Sequence, residues 1–186
     1  MIRRSFGSRQ SPRVSVITAT IPGREHLLVE NQASVRSQTM KDWEHLTLLD
    51  TARAGCSATY NRLAEEAQAE WLFILADDDL MLPGCLYQHL KHSSNADIVY
   101  APPLVWGEAP QQFCGVHPTI PAVALIRTEL WRSLGGYGVG LVEQEDRDFY
   151  QRAVQASARF VRFVDGPTWL YRFHRGSVGN KSRGQS

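Results

Sequence analysis

Trp71-Leu72-Phe73-Ile74-Leu75-Ala76-Asp77-Asp78-Asp79 decides the fold: large apolar residues end abruptly in three carboxylates, and Leu80-Met81-Leu82-Pro83-Gly84 follows. An apolar run of this length with polar boundaries predicts a strand buried on both faces. Acids at its carboxyl end would stand where open α/β sheets bind ligands. Packed together, the three would raise one another's pKa unless a cation neutralised them. Hard oxygen ligands of this kind suit a divalent metal such as magnesium or manganese. The alternative is structural: an Asp after a strand caps a helix, and Pro83 suits a first helical turn. One Asp would meet that need. A calcium loop does not fit, because Met81 falls at its fifth position.

Working outward, Val14-Ser15-Val16-Ile17 predicts a first strand, and a helix runs from about Arg24 to Met40. Leu46 to Leu49 predicts a second strand ending in Asp50, and a helix starts near Ser57. Its Tyr60, Leu63, Ala64 and Ala67 share one face at helical spacing. Strands alternating with helices predict a parallel sheet covered on both sides. Right-handed crossovers then bring Thr20, Asp50 and Asp77–Asp79 to one edge.

Beyond Gly84 the pattern is less regular. A helix to His92 leads to a strand at Asp97–Tyr100. Residues 102–119 carry Pro102, Pro103, Gly107, Pro110, Gly115 and Pro118 and read as a long loop, with Trp106, Phe113 and His117 as pocket wall or packing anchors. Ala122–Ile126 reads as a strand and Thr128–Leu134 as a short helix stopped by Gly135-Gly136. A helix spans Glu145–Ala156, and strands lie at Phe160–Val164 and Trp169–Phe173. Residues 1–12 are polar and read as a flexible arm, residues 13–175 as a single domain divided near residue 100, and 176–186 as a mobile tail.

The chain has 186 residues, 43% hydrophobic and 21% charged, with a formal net charge of +1. These values describe one ordinary globular domain and give no bulk drive toward nucleic acid. Cys56, Cys85 and Cys114 form neither a disulfide framework nor a zinc pattern, which fits a cytoplasmic setting. Arg3 and Arg4 precede no apolar core, so neither a signal peptide nor a membrane segment is expected. No feature fixes an oligomeric state.

Asp50 could accept a hydrogen bond from a ribose or base, and Arg53 could meet a phosphate. A loop cap and a solvated charge are the competing readings. No Gly-rich phosphate loop is present, so a metal would carry much of the phosphate binding. A second acidic group, Glu143, Glu145, Asp146 and Asp148, follows the flexible Gly135–Gly140. Acids in a first helical turn answer the macrodipole, but a carboxylate there also suits a general base. His174, after the last strand, could complete a metal shell.

Val14 to Pro22, Gly55-Cys56-Ser57-Ala58-Thr59-Tyr60-Asn61 and Trp71 to Gly84 resemble a family 2 glycosyltransferase of the GT-A fold. Ile120 to Leu125, Leu134-Gly135-Gly136-Tyr137, Glu145-Asp146-Arg147-Asp148 and Tyr171-Arg172-Phe173-His174 continue the resemblance in order. It implies a Rossmann-like three-layer sandwich with a mostly parallel central sheet. It also implies an inverting transfer from a nucleotide diphosphate sugar, a UDP-sugar by default, to an acceptor hydroxyl. Asp79 would ligate the metal, with Asp77 and Asp78 on ribose, sugar or metal and His174 reaching the metal or diphosphate. Thr18, Ala19 and Thr20 lie in the loop implied to hold the base, and Asp50 matches the nucleoside-binding acid. Asp146 matches the catalytic base, with Glu145 orienting sugar or acceptor.

Two positions depart from the family: Ala76 stands where relatives often carry Asp, and Tyr60 where many carry Arg. The chain is also short for the family, so the acceptor site falls to residues 102–119 and 135–144 or to a partner. The acceptor itself is open: a glycan, a protein side chain, a small molecule or a hydroxylated nucleic-acid base. Arg172, Arg175, Lys181 and Arg183 would touch a polyanion, close over the donor diphosphate or be solvated. A nucleotidyltransferase would need a Gly- and Lys-rich loop that is absent after the first strand. A non-catalytic nucleotide-sugar-binding or scaffold protein of the same fold is the remaining alternative.

Overall fold

The computed structural model describes residues 1–107, 115–116, 123–141 and 144–173. Seven strands form the central sheet: β1 (Ile2–Phe6), β2 (Val14–Thr20), β3 (Trp43–Leu49), β4 (Trp71–Ile74), β6 (Ile98–Tyr100), β9 (Leu125–Arg127) and β10 (Phe160–Arg162), in the spatial order β1-β3-β2-β4-β9-β6-β10. Strand β2 lies between β3 and β4. It runs parallel to β3, with Thr20 opposite Leu49, and parallel to β4, with Ile17 opposite Ile74. Their carboxyl ends therefore share one edge. The sheet as a whole is mixed, since β1–β3, β4–β9 and β6–β9 are antiparallel and β6–β10 is parallel.

Period-two alternation sends successive side chains of β2 and β4 to opposite faces, both of them buried. Val14, Val16, Trp71 and Phe73 pack with Val35 of α1 (Glu25–Arg36) and Leu86 of α3 (Cys85–Lys91). Ile17, Leu72 and Ile74 pack on the other face against Leu63 of α2 (Cys56–Glu65), Trp131 of α4 (Thr128–Ser133) and Phe149 of α5 (Glu145–Gln155). Helices thus cover both faces of the sheet, the α/β three-layer arrangement.

Two expectations are corrected. Ile2–Phe6 is not a loose arm. It pairs antiparallel along β3, from Ile2 opposite Leu48 to Phe6 opposite Glu44. Backbone pairing makes this edge strand, helped by Arg4, which bonds the Glu66 carbonyl at 2.7 Å and lies 3.4 Å from the buried Glu44 carboxylate. Nor is 102–119 wholly a loop. Strands β7 (Leu104–Gly107) and β8 (Gly115–Val116) join β5 (Leu80–Met81) and β11 (Trp169–Phe173) in a second sheet of order β5-β11-β7-β8. Gly107 sits at φ +97°, and a Cβ there would press on the Phe173 carbonyl, so only glycine fits beside β11. Because β5 directly follows the acidic triplet, this small sheet is tied to the carboxyl edge of the large one.

Candidate active site

The acidic turn is held from three directions. Asp79 N–H donates to the Ala76 carbonyl at 3.1 Å, closing the turn after β4. From α1, the buried Asn31 amide donates to the carbonyls of Ala76 and Asp79 at 2.8 and 3.0 Å. From β11, Arg172 N–H donates to Asp79 Oδ1 at 3.0 Å, and its guanidinium donates to the Asp78 carbonyl at 3.1 Å. The same guanidinium pairs with Glu30 and lies 4.5 Å over the Trp106 ring. Trp106 is therefore an anchor for Arg172, one of the two roles its sequence position allowed.

Asp77 accepts from the Thr20 hydroxyl at 2.6 Å, which joins the ends of β2 and β4. Its other partner is Arg24, with Nε to Oδ2 at 2.9 Å and Nη2 to Oδ1 at 2.6 Å; Nη2 also reaches Asp78 at 2.7 Å. Against the desolvation of burial, these bonds and charges raise the Arg24 pKa further. Arg24 thus acts as the local cation for two of the three acids. Asp79 is buried. Desolvation, followed by the charges of Asp78 and Asp77, raises its pKa well above the usual carboxylate range, with Arg172 N–H opposing.

The other expected donor residues divide. Asp50 sits beside Thr20, its N–H donating to the Thr20 carbonyl at 2.8 Å. Its carboxylate turns onto its own loop, accepting from Ala54 and Gly55 N–H at 2.9 Å each, and these bonds lower its pKa. Arg53 is exposed at φ 55° within that loop. Ala19 is half-buried, but Thr18 is fully buried within the sheet, its hydroxyl 3.0 Å from His45 Nε2. Thr18 is a core residue here.

The second acidic group reaches the same edge through α5. Asn61 of α2 holds Tyr137 by both backbone groups, donating to its carbonyl at 2.8 Å and accepting from its N–H at 2.9 Å. Gly136 lies at φ +69°, where a Cβ would overlap the Asn61 carboxamide. Arg152 ties the carbonyls of Leu134 and Gly136 at 2.6 and 2.7 Å and pairs with Asp148 at 2.7 Å, giving Asp148 a structural role. Residues 134–137 are thereby tied to α2 and α5, and Glu145 and Asp146 begin the helix. Desolvation raises the Asp146 pKa; Arg147 N–H, at 2.7 Å, lowers it, and the Glu145 charge raises it. Cys56 begins α2 and is exposed. Desolvation and then the charges of Glu145, Asp146 and Asp77 push its thiol pKa far up.

Tyr60 is buried, its hydroxyl donating to the Leu75 carbonyl at 3.3 Å, so it braces the strand that ends in the acids. Among the described residues no three His, Cys, Asp or Glu side chains gather as a preformed metal shell. His174, Glu143, Phe113, His117, Arg175, Lys181, Arg183 and the 176–186 tail lie outside the described residues. Sequence reasoning missed Arg24, Asn31, Asn61 and the anchoring role of Arg172. Asn61 and Arg172 carried a signal, standing inside the Gly55–Asn61 and Tyr171–His174 motifs.

No family model matches the chain. It is 22% identical over 200 residues to a Methanocaldococcus jannaschii protein described as an uncharacterized glycosyltransferase, covering 83% of this chain and 69% of that one. Its fold matches S. aureus TarS 1–349 in complex with UDP-GlcNAc at a TM-score of 0.74 and 15% identity, over 89% of this chain and 60% of TarS 1–349. The fold is that of the GT-A glycosyltransferases. The Pyrobaculum calidifontis mannosyltransferase in complex with GDP-Man and Mn2+ matches at 0.66 and 16% identity, over 94% of this chain and 60% of that one. The catalytic domain of Drosophila β1,4-galactosyltransferase 7 with xylobiose matches at 0.64 and 16% identity, over 88% and 72%. The chain thus spans about 60% of the TarS fragment and of the mannosyltransferase.

Proposed function

We propose that the chain is an inverting glycosyltransferase that binds a nucleotide diphosphate sugar beside Asp77–Asp79 and uses Asp146 as general base. One observation carries this reading: α2 braces both acidic groups, Tyr60 donating to the Leu75 carbonyl just before Asp77–Asp79 and Asn61 holding Tyr137 ahead of Glu145–Asp146, which supports one site served by both. The complexes of similar fold support a nucleotide-sugar donor, since their ligands are UDP-GlcNAc and GDP-Man.

In this mechanism the acceptor oxygen bonds to the anomeric carbon while the bond from that carbon to the diphosphate oxygen breaks. Asp146 takes the hydroxyl proton, and Glu145 orients the sugar or acceptor. A raised Asp146 pKa makes it a stronger base than an ordinary carboxylate and keeps the proton transfer favourable. Thr20, Asp50 and Arg53 line the side on which the nucleoside would lie.

The buried Asp79 carboxylate fits a divalent metal, because a cation would relieve the desolvation that raises its pKa. Asp79 would hold the ion, with His174 as a further proposed ligand; Asp77 and Asp78 would join only by giving up Arg24. Mn2+ or Mg2+ bound there would offset the charge that develops on the leaving diphosphate. The Arg24 clamp favours one second reading, a nucleotide-sugar-binding protein without turnover. Thermal unfolding with uridine, guanosine, thymidine and adenosine diphosphates, with and without Mn2+, tests the donor site. A ligand that binds only the folded state raises its stability, so one diphosphate should shift the transition and need Mn2+ to do so. No shift with any of them overturns the proposal.

A further inference from the structure

A groove of about 940 Å³ opens at Asp146 and follows α5 along the rim of the sheet. From Asp146 to Gln155 the helix advances roughly 14 Å at its standard rise. The opposite wall comes from Tyr100 at the end of β6 and Phe160 at the start of β10. Among the described residues strand β10 pairs with β6 alone and ends the order of the large sheet, and the groove runs beside it.

The lining chemistry is specific. Tyr100 and Phe160 are half-buried and keep part of each ring open, while Val154, 64% exposed, stands beside them on α5. The exposed carboxamides of Gln151 and Gln155 add donors and acceptors along the same wall. Among the described lining residues the charged ones are Asp146 and its neighbour Arg147, of opposite sign. A polyanion would face a single cation beside a carboxylate, and a lipid chain would gain nothing from two carboxamides. A saccharide has both apolar ring faces and a rim of hydroxyls, which aromatic rings and amides together satisfy.

We infer that this groove binds a neutral saccharide whose terminal hydroxyl reaches Asp146, so the acceptor is a glycan. The inference rests on the proposed glycosyl transfer with Asp146 as base, and it names the acceptor class for that site. Tyr150 braces the head of the groove. It is buried against Phe160 at 6.1 Å between ring centroids, and it lies within the field of both Asp146 and Tyr100.

The test uses the whole chain on an array of immobilised neutral and anionic oligosaccharides, followed by saturation-transfer NMR titration of the neutral hits. Val154→Arg and Gln155→Ala alter exposed positions, and circular dichroism confirms their folding. Neutral glycans should bind the wild type, lose binding in Val154→Arg, and bind about tenfold more weakly in Gln155→Ala, as expected for a lost hydrogen bond. No glycan bound, only anionic glycans bound, or binding unchanged in Val154→Arg overturns the inference. So does a dimer that Val154→Arg dissociates, which would give the groove to a second copy. A parallel arm measures uridine diphosphate binding with Mn2+. Diphosphate binding without glycan binding removes the groove assignment alone, whereas glycan binding without any diphosphate binding removes the transferase reading.

Discussion

Replacing Arg24 with alanine leaves Asp77 and Asp78 without their shared cation. The guanidinium makes three short bonds to them, and all three side chains are largely shielded, at 21%, 8% and 14% exposure. Breaking a fully buried pair costs about 3–5 kcal/mol. The partial exposure of Arg24 discounts that to roughly 2–3 kcal/mol. For a chain of this length the loss corresponds to a fall in Tm of roughly 4–12 °C. The two carboxylates, relieved of the Arg24 charge, should then attract a divalent cation more strongly. Differential scanning fluorimetry of wild type and Arg24→Ala, each with and without Mn2+, reads both effects. The variant should melt lower without metal and regain more than the wild type when Mn2+ is added. A variant that melts with the wild type, or that gains no more from Mn2+, refutes the reasoning that Arg24 is the resident counter-charge of the triplet.

If Asp146 is the base, the acid limb of kcat against pH should stand above the usual carboxylate range, because the raised pKa protonates it sooner as pH falls. Glu145→Gln should move that limb to lower pH, since the Glu145 charge contributes to the rise; an unmoved limb would argue against it. Gly136→Ala must strain a positive φ and push on Asn61, and a loss of roughly 2–4 kcal/mol in denaturant unfolding is expected. His45 and His89 are buried, with pKa values lowered by desolvation to about 3 and about 4, while the unfolded chain takes up their protons near pH 6.5. The unfolded state therefore binds more protons between those values. Stability should drop as pH falls from 6.5 toward 4, by up to about 1.4 kcal/mol per unit for each histidine, and His45→Gln should lessen the slope.

The helices and most buried strands were legible because burial on two faces leaves apolar runs, as in Trp71–Ile74, where all four residues are buried. Strand β1 left no such trace. At a sheet edge it needs only backbone partners, and its side chains are largely exposed. Strands β7 and β8 were masked by the prolines and glycines around them. The acidic triplet was legible as a cluster, but its partners were not. Arg24 stands 53 positions from Asp77, and Arg172 stands 94 from Asp78, so no local spacing could join them. Helical i, i+4 spacing does join Asp148 to Arg152, and that pairing was available from sequence. Asp50 and Thr18 show the limit of position alone: one carboxylate folds onto its own loop, and one hydroxyl points into the sheet.

If this edge of the fold transfers a sugar with Asp146 as base, catalysis must depend on that carboxylate while donor binding does not. The direct measurement is nucleoside diphosphate release from nucleotide sugars with Mn2+ and a neutral glycan acceptor, for wild type and Asp146→Asn, beside donor binding by calorimetry. Turnover should fall roughly 10²–10⁴-fold in Asp146→Asn while donor affinity is kept. Equal turnover in the two proteins, or donor binding without turnover in the wild type, would contradict it.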